Sequence, residues 1–139
     1  MPGRLTHEGF EGYLAEAKPP KGEFVELLRT LRQRLLAHED VEEEVVHMPP
    51  PAQLMYRTSC NQIATLGATH DGITVGLRIM GSGAQDAVQA GIAAKHPHPI
   101  YARAGWLFAQ AKNEQEALRL VPWLERAHRV AKAKDACLD

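Results

Sequence analysis

Apolar residues recur at helical spacing in two stretches of the chain, one near each end. In EFVELLRTLRQRLLAHE, which begins at Glu23, the three- and four-residue spacing places them on one face of a helix. A second helix is predicted from Asn113, which forms a capping box with Glu116, to about residue 133. Pro122 falls inside this pattern, so the helix either bends there or restarts.

The middle of the chain alternates between apolar and polar residues, which is typical of strands. In IATLGATHDGITVGLRIM, the pair Asp71-Gly72 favours the two-residue turn of a β-hairpin, with His70 opposite Ile73. This register separates an apolar face from a face of threonines and glycines, and a one-residue slip would mix them. The predicted pairs are Ala64 with Ile79, Leu66 with Leu77, Ala68 with Val75, Thr65 with Arg78, Gly67 with Gly76, and Thr69 with Thr74.

These elements predict an α+β fold. Strands are also expected at LMYRT (54–58) and YARAGWLFAQ (101–110), and a short helix over 6–17 with Thr6 as its cap. Hairpin-linked strands in the middle and helices at both ends indicate a two-layer domain. We expect one domain, residues 1–139, with an antiparallel sheet of about four or five strands and helices packed on one face.

The composition narrows the classes of function. Of 139 residues, 45% are hydrophobic and 24% are charged, as in a soluble globular domain. The 16 basic and 17 acidic side chains leave no basic surplus, which disfavours nucleic-acid binding. No apolar run is long enough to span a membrane, and the first residues lack a signal-peptide pattern, so we expect a cytoplasmic protein without a membrane partner.

Two stretches carry side chains of the kind that bind metals. One is an acidic run of carboxylates that suit a hard cation such as iron: Glu39, Asp40, Glu42, Glu43 and Glu44. It lacks a calcium-loop pattern, and a solvated end of a helix is the favoured interpretation. The other is KHPHP, where prolines flank His98 and His96 has no third ligand nearby, so an exposed loop is favoured over a metal site.

The threonine and glycine face of the hairpin is the candidate ligand surface. Glycines inside strands often mark the close approach of a ligand or another backbone, although they also relieve twist or admit a packed helix. Arg78 would anchor an anion on such a surface. The residues predicted to bind a ligand are Thr65, Thr74, Arg78 and Arg103.

No catalytic set is recognisable. The GSG at 81–83 lacks the rest of a phosphate loop, and neither serine, Ser59 nor Ser82, lies in a nucleophile elbow. Cys60 and Cys137 form no CxxC pair, and we expect no disulfide between them in a reducing compartment. We therefore expect a protein that is not an enzyme.

Four segments resemble the YdhG-like superfamily of small uncharacterised domains: the amphipathic helix, EEEVVHMPPPAQLMY with its Met48-Pro49 step, QIATLGATHDGITVGLRI, and ALRLVPWLERAHRVAK. The resemblance covers residues 23–133 and leaves 1–22 as an N-terminal extension. The three consecutive prolines depart from the family pattern. The resemblance implies a compact α+β fold distantly similar to frataxin. Some members are labelled iron chaperones that act through acidic side chains, which points at the acidic run.

The sequence thus predicts a non-enzymatic binding domain without a cofactor, for a small ligand or a protein partner. One alternative is a frataxin-like iron-binding chaperone that uses the acidic run. Another is an interaction subunit of a homo-oligomer, such as a homodimer, whose open sheet face is the interface.

Overall fold

The computed structural model describes residues 7–16, 22–47, 52–79 and 82–134. The predicted helix cap Thr6, the Met48-Pro49 step with the following prolines, and Cys137 lie outside the described residues. In chain order the elements are α1 (His7–Glu16), α2 (Gly22–Leu36), β1 (Glu42–Val46), β2 (Gln53–Arg57), β3 (Gln62–Thr69), β4 (Gly72–Leu77), α3 (Gly83–Gln89), β5 (Ala94–Lys95), α4 (Pro99–Arg103), β6 (Leu107–Ala111) and α5 (Glu114–Ala133).

The described strands form one antiparallel sheet of six, in the order β1-β2-β3-β4-β6-β5. The α+β class is confirmed, while the expected four or five strands are too few. The two strands that the sequence analysis missed are β1, which lies in the acidic run, and the two-residue β5. Neither has the alternation of apolar and polar residues by which strands are predicted.

The main core lies between one face of the sheet and the helices α2 and α5. Leu28 and Leu31 of α2 and Leu124 of α5 are almost fully buried, together with Leu66 and Val75 of the hairpin. Both helices predicted from apolar spacing are confirmed, and α5 continues through Pro122, whose side chain is exposed. Helix α1 adds Phe10 and Tyr13 to this core.

The β3–β4 hairpin is confirmed, but the predicted register differs from the observed one by two residues. The turn is His70-Asp71, so that Thr69 pairs with Gly72 and Leu66 pairs with Val75. The side-chain hydroxyl of Thr69 lies 2.9 Å from the carboxylate of Asp71 and holds that residue in the turn. Because side chains alternate with a period of two, a two-residue shift keeps the apolar face intact. Apolar sorting therefore could not distinguish the two registers.

The stretch YARAGWLFAQ is not one strand. Its first residues belong to α4, and strand pairing begins only at Leu107. Leu107 and Ala109 face the helices because they pair with Leu77 and Val75, whereas Phe108 pairs with Gly76 on the other face. The predicted strand at 101–110 is therefore wrong before Leu107.

Candidate functional site

A cleft of about 340 Å³ opens on the sheet face that points away from α2 and α5. The sheet forms its floor, and the chain from β5 to β6 forms one wall. Its lining is mostly apolar, which is typical of small-molecule sites. The lining residues are Ala52, Gln53, Gly67, Ala68, Thr69, Thr74, His96, Pro97, His98, Tyr101 and Phe108.

The floor of the cleft is flat because glycine faces threonine across the hairpin. Gly67 pairs with Thr74, and Gly76 pairs with Thr65, so the two glycines do not face each other as predicted. A Cβ atom on Gly67 would lie only 2.7 Å from Oγ1 of Thr74. Each threonine side chain thus occupies space that its glycine partner leaves free.

The wall is built by the chain from β5 to β6, which folds across the sheet. Pro99 is the first residue of α4, where its missing N–H costs nothing, and His98 is the N-cap. Trp106 then lies over Gly76, where a Cβ atom would be 3.4 Å from the indole ring. The predicted exposed loop is therefore wrong for His96, which is 7% exposed.

Aromatic rings hold this wall together. The ring of His96 lies 4.7 Å from that of Tyr101 and 5.1 Å from that of Phe108, centroid to centroid. Tyr101 in turn contacts Trp106 edge to face at 5.3 Å. Such contacts stabilise aromatic pairs beyond the area they bury, so the wall is a packed element.

Both histidines of the wall use Nδ1 to accept backbone hydrogen bonds. Nδ1 of His96 accepts from the N–H of His98 at 3.1 Å, and Nδ1 of His98 accepts from the N–H of Ile100 at 3.2 Å. A neutral imidazole has one unprotonated nitrogen, so each ring carries its proton on Nε2. Burial of the ring, and next the nearby His98, lower the pKa of His96 and favour this neutral form. A metal ion bound by these rings would have to displace one of these backbone contacts.

The predicted ligand residues are dispersed. Thr74 lines the cleft, whereas Thr65 is buried and outside it. The side chain of Arg78 lies 3.5 Å from the carbonyl of Gln62, at the end of β3 farther from the cleft. Arg103 borders a shallower depression, together with Lys95, on the outer side of the wall. Tyr101 and Phe108 were not predicted as site residues because α4 was taken for a strand, and the two histidines because their segment was taken for an exposed loop.

The acidic run is divided between the two sides of β1. Glu43 points into the core, where both carboxylate oxygens bind the guanidinium of Arg32 at 2.7 and 2.9 Å and one accepts from the hydroxyl of Tyr56 at 2.5 Å. On the other side, Glu44 lies 3.5 Å from Arg57. The predicted solvated helix end is therefore wrong for Glu43, which is fully buried.

The remaining acidic residues do not complete a cluster. Glu39 is exposed, Glu42 is half-buried on β1, and Asp40 is hydrogen-bonded to His128. Among the described residues, no group of three or more histidine, cysteine, aspartate or glutamate side chains is placed to hold a metal ion. The frataxin-like use of this run stays a prediction from the sequence.

A second group of titratable side chains joins the end of α2 to α5. The rings of His38 and His128 stack at 3.8 Å, and their Nε2 atoms bind Glu125 at 2.7 Å and Asp40 at 2.9 Å, respectively. Burial opposes ionisation of Asp40, but its contact with His128 lowers its pKa overall. The partners in these two hydrogen bonds are 87 and 88 residues apart in the sequence, so no local motif could have revealed the group.

Cys60, at the turn between β2 and β3, is in a disulfide. The expectation of no disulfide is therefore wrong for Cys60, while Cys137 lies outside the described residues.

No protein-family profile and no curated protein sequence matches the chain. The YdhG-like resemblance consequently stays a prediction. Within the ranges that the structure describes, no helix is both long and apolar enough to cross a membrane.

Proposed function

We propose that this protein is a binding domain that holds a small, mostly apolar ligand in the sheet-face cleft. The observation that carries the proposal is the cleft itself. Its volume of about 340 Å³ falls within the range of small-molecule sites, which is about 300–1,000 Å³. A few polar groups at Gln53, Thr69 and Thr74 border an apolar interior, which is the usual composition of such sites.

The floor and wall also support a preformed site. Pairing across the hairpin holds the floor at Gly67 and Thr74, and packed rings hold the wall at His96 and Tyr101. A ligand therefore pays little to order the site, which favours binding of a small molecule.

A fragment screen followed by amide NMR spectra tests the proposal. Binders should shift the amides of Gly67, Thr74 and Tyr101 together. In a Thr74→Phe variant the added ring fills the cleft, and we expect binding to fall at least about tenfold. Gln110→Phe is the matched control, because Gln110 pairs with Thr74 across β4 and β6 but is exposed and outside the cleft.

Two outcomes would contradict the proposal. One is a screen in which no fragment shifts the cleft amides. The other is a set of binders that the two phenylalanine variants weaken equally. Shifts caused only by a protein partner would favour the partner alternative.

A further inference from the structure

We propose that the cleft selects an uncharged ligand of about two aromatic rings that carries a hydrogen-bond acceptor. This inference rests on the proposed function and specifies the ligand class. Four features of the cleft support it: its size, the rings around it, its lack of charged lining residues, and the N–H groups of its histidines.

The size of the cleft limits the ligand. An apolar cavity of about 150 Å³ is enough for benzene. The cleft is roughly twice as large, at about 340 Å³, and one side is open. A molecule of about two fused rings fills it, whereas a long chain would extend into the solvent.

The walls favour flat, aromatic ligands. Tyr101 and Phe108 line the cleft, and Gly67 adds no side chain to its floor. Aromatic rings prefer edge-to-face and offset contacts with other rings, and a planar molecule can make these with Tyr101 and Phe108. A bulky saturated ligand would make fewer contacts of this kind.

The charge of the lining disfavours ions. Within the part of the chain that the structure describes, no aspartate, glutamate, lysine or arginine lines the cleft. Burying an ion without a counter-charge is costly, so the desolvation free energy of a charged ligand would exceed the stabilisation that the cleft contributes. Lys95 and Arg103 border the outer depression, and an anion would be expected there instead.

The two histidines determine which hydrogen-bonding group the ligand needs. His96 is only 7% exposed, and its Nδ1 accepts a hydrogen bond from the backbone N–H of His98. Its Nε2–H has no hydrogen-bond partner among the described residues. Nδ1 of His98 likewise accepts from the N–H of Ile100, so its ring offers an N–H at Nε2. Both histidines line the cleft, and His96 also borders the outer depression. We assign the Nε2–H of His96 to the cleft, where the acceptor of a ligand would bind it.

Five probes separate these features. Isoquinoline offers an acceptor, and indole is a neutral two-ring molecule that offers only a donor. N-methylisoquinolinium and naphthoate add a positive and a negative charge, and camphor is a saturated ketone. Measurements belong at a pH of about 8, where imidazole and isoquinoline are neutral. We expect isoquinoline to bind about three- to tenfold more tightly than indole, and more tightly than the other three probes.

Two variants test whether Nε2 of His96 is the donor to the ligand. His96→Asn retains an acceptor near Nδ1 for the His98 amide but removes the Nε2 donor, whereas His96→Gln retains a donor near Nε2. We expect the asparagine variant to lose the preference for isoquinoline over indole and the glutamine variant to keep part of it. An unchanged preference in both variants would show that Nε2 faces the outer depression, and would overturn the assignment.

The outcomes separate the inference from the proposed function. Equal binding of indole, or tighter binding of a charged probe or camphor, overturns the ligand class. The cleft is still the site in that case if Thr74→Phe weakens the probe that binds. If none of the five probes binds while other fragments shift the cleft amides, the inference fails alone. If nothing shifts those amides, both fail.

Discussion

At the scale of single residues, the buried charge of Glu43 is tolerated because the chain surrounds it with donors. The two guanidinium contacts from Arg32 and the hydroxyl of Tyr56 occupy its oxygens, and the ring of Phe10 lies 4.2 Å from the guanidinium. Burial first, and then the charge of Glu43 and its hydrogen bond, raise the pKa of Tyr56, so its hydroxyl stays a donor. Removing one partner from such a buried group is costly because the other charge is left uncompensated.

We expect Arg32→Met to lower the free energy of unfolding by about 3 kcal/mol, because Glu43 would be buried without its counter-charge. Arg29→Met is the matched control on the same helix. Its contact with Glu11 is 3.3 Å long and partly exposed, so the expected loss is under about 1 kcal/mol. Urea unfolding of the two variants measures both values. Equal losses would show that Glu43 is not held by Arg32.

The contact between Asp40 and His128 predicts a loss of stability in acid. Because the folded-state pKa of Asp40 is lowered, its stabilising effect is fully present above its ordinary pKa of about 3.9 and is lost as the pH falls through the folded-state value. Asp40 is partly exposed, so we expect an effect under about 1 kcal/mol.

Urea unfolding at a series of pH values tests this. Asp40→Asn should be less stable than the parent protein near neutral pH, and the difference should shrink below about pH 4. Glu39→Gln, at an exposed neighbouring position, is the control. A difference that does not change with pH would mean that ionised Asp40 contributes nothing to folding.

At the scale of elements, the hairpin register determines what the second sheet face can do. With Thr65 opposite Gly76, the threonine side chain and Trp106 fill the space above the glycine. In the predicted register the two glycines would face each other and leave a wider open strip. The observed pairing instead closes one end of the face and leaves the cleft at Gly67.

We expect Gly76→Ala to destabilise the fold by about 1–3 kcal/mol, because the new methyl group would overlap the hydroxyl of Thr65 and contact Trp106. Adding Thr65→Ala should restore part of the loss, since it removes the overlapping oxygen. A double-mutant cycle by chemical denaturation gives the coupling energy. Additive effects of the two substitutions would argue for the glycine-to-glycine register.

At the scale of the whole molecule, the two faces of the sheet have different coverings. One is packed against α2 and α5, and the other is partly covered by the chain from β5 to β6. The cleft exists because this covering stops short of β2 and the hairpin end. A binding site is thus built without interrupting the main core.

The oxidation state of Cys60 can be measured directly. We expect iodoacetamide to modify Cys60 in the unfolded protein only after reduction, because its sulfur is in a disulfide. Peptide mapping with and without reductant measures the modification. Labelling of Cys60 without reductant would contradict the disulfide.

Several features could be predicted from the sequence because they depend on local patterns. The helices α2 and α5 follow from apolar spacing, the cap of α5 from Asn113 and Glu116, and the hairpin from its alternation. One residue of the cleft, Thr74, was also predicted as a ligand residue. Apolar periodicity reports which face is buried, and this is enough for the α+β class.

Features that depend on contacts between distant parts of the chain were determined only by the tertiary structure. The sequence could not show that Arg32 and Tyr56 would bury Glu43, because the three residues lie on different elements. It could not show that His96 would fold onto Phe108, because prolines beside a histidine are equally compatible with an exposed loop. Alternation along a strand shows which residues share a face but not which residues pair across the hairpin. The floor of the cleft therefore depended on the observed pairing of Gly67 with Thr74.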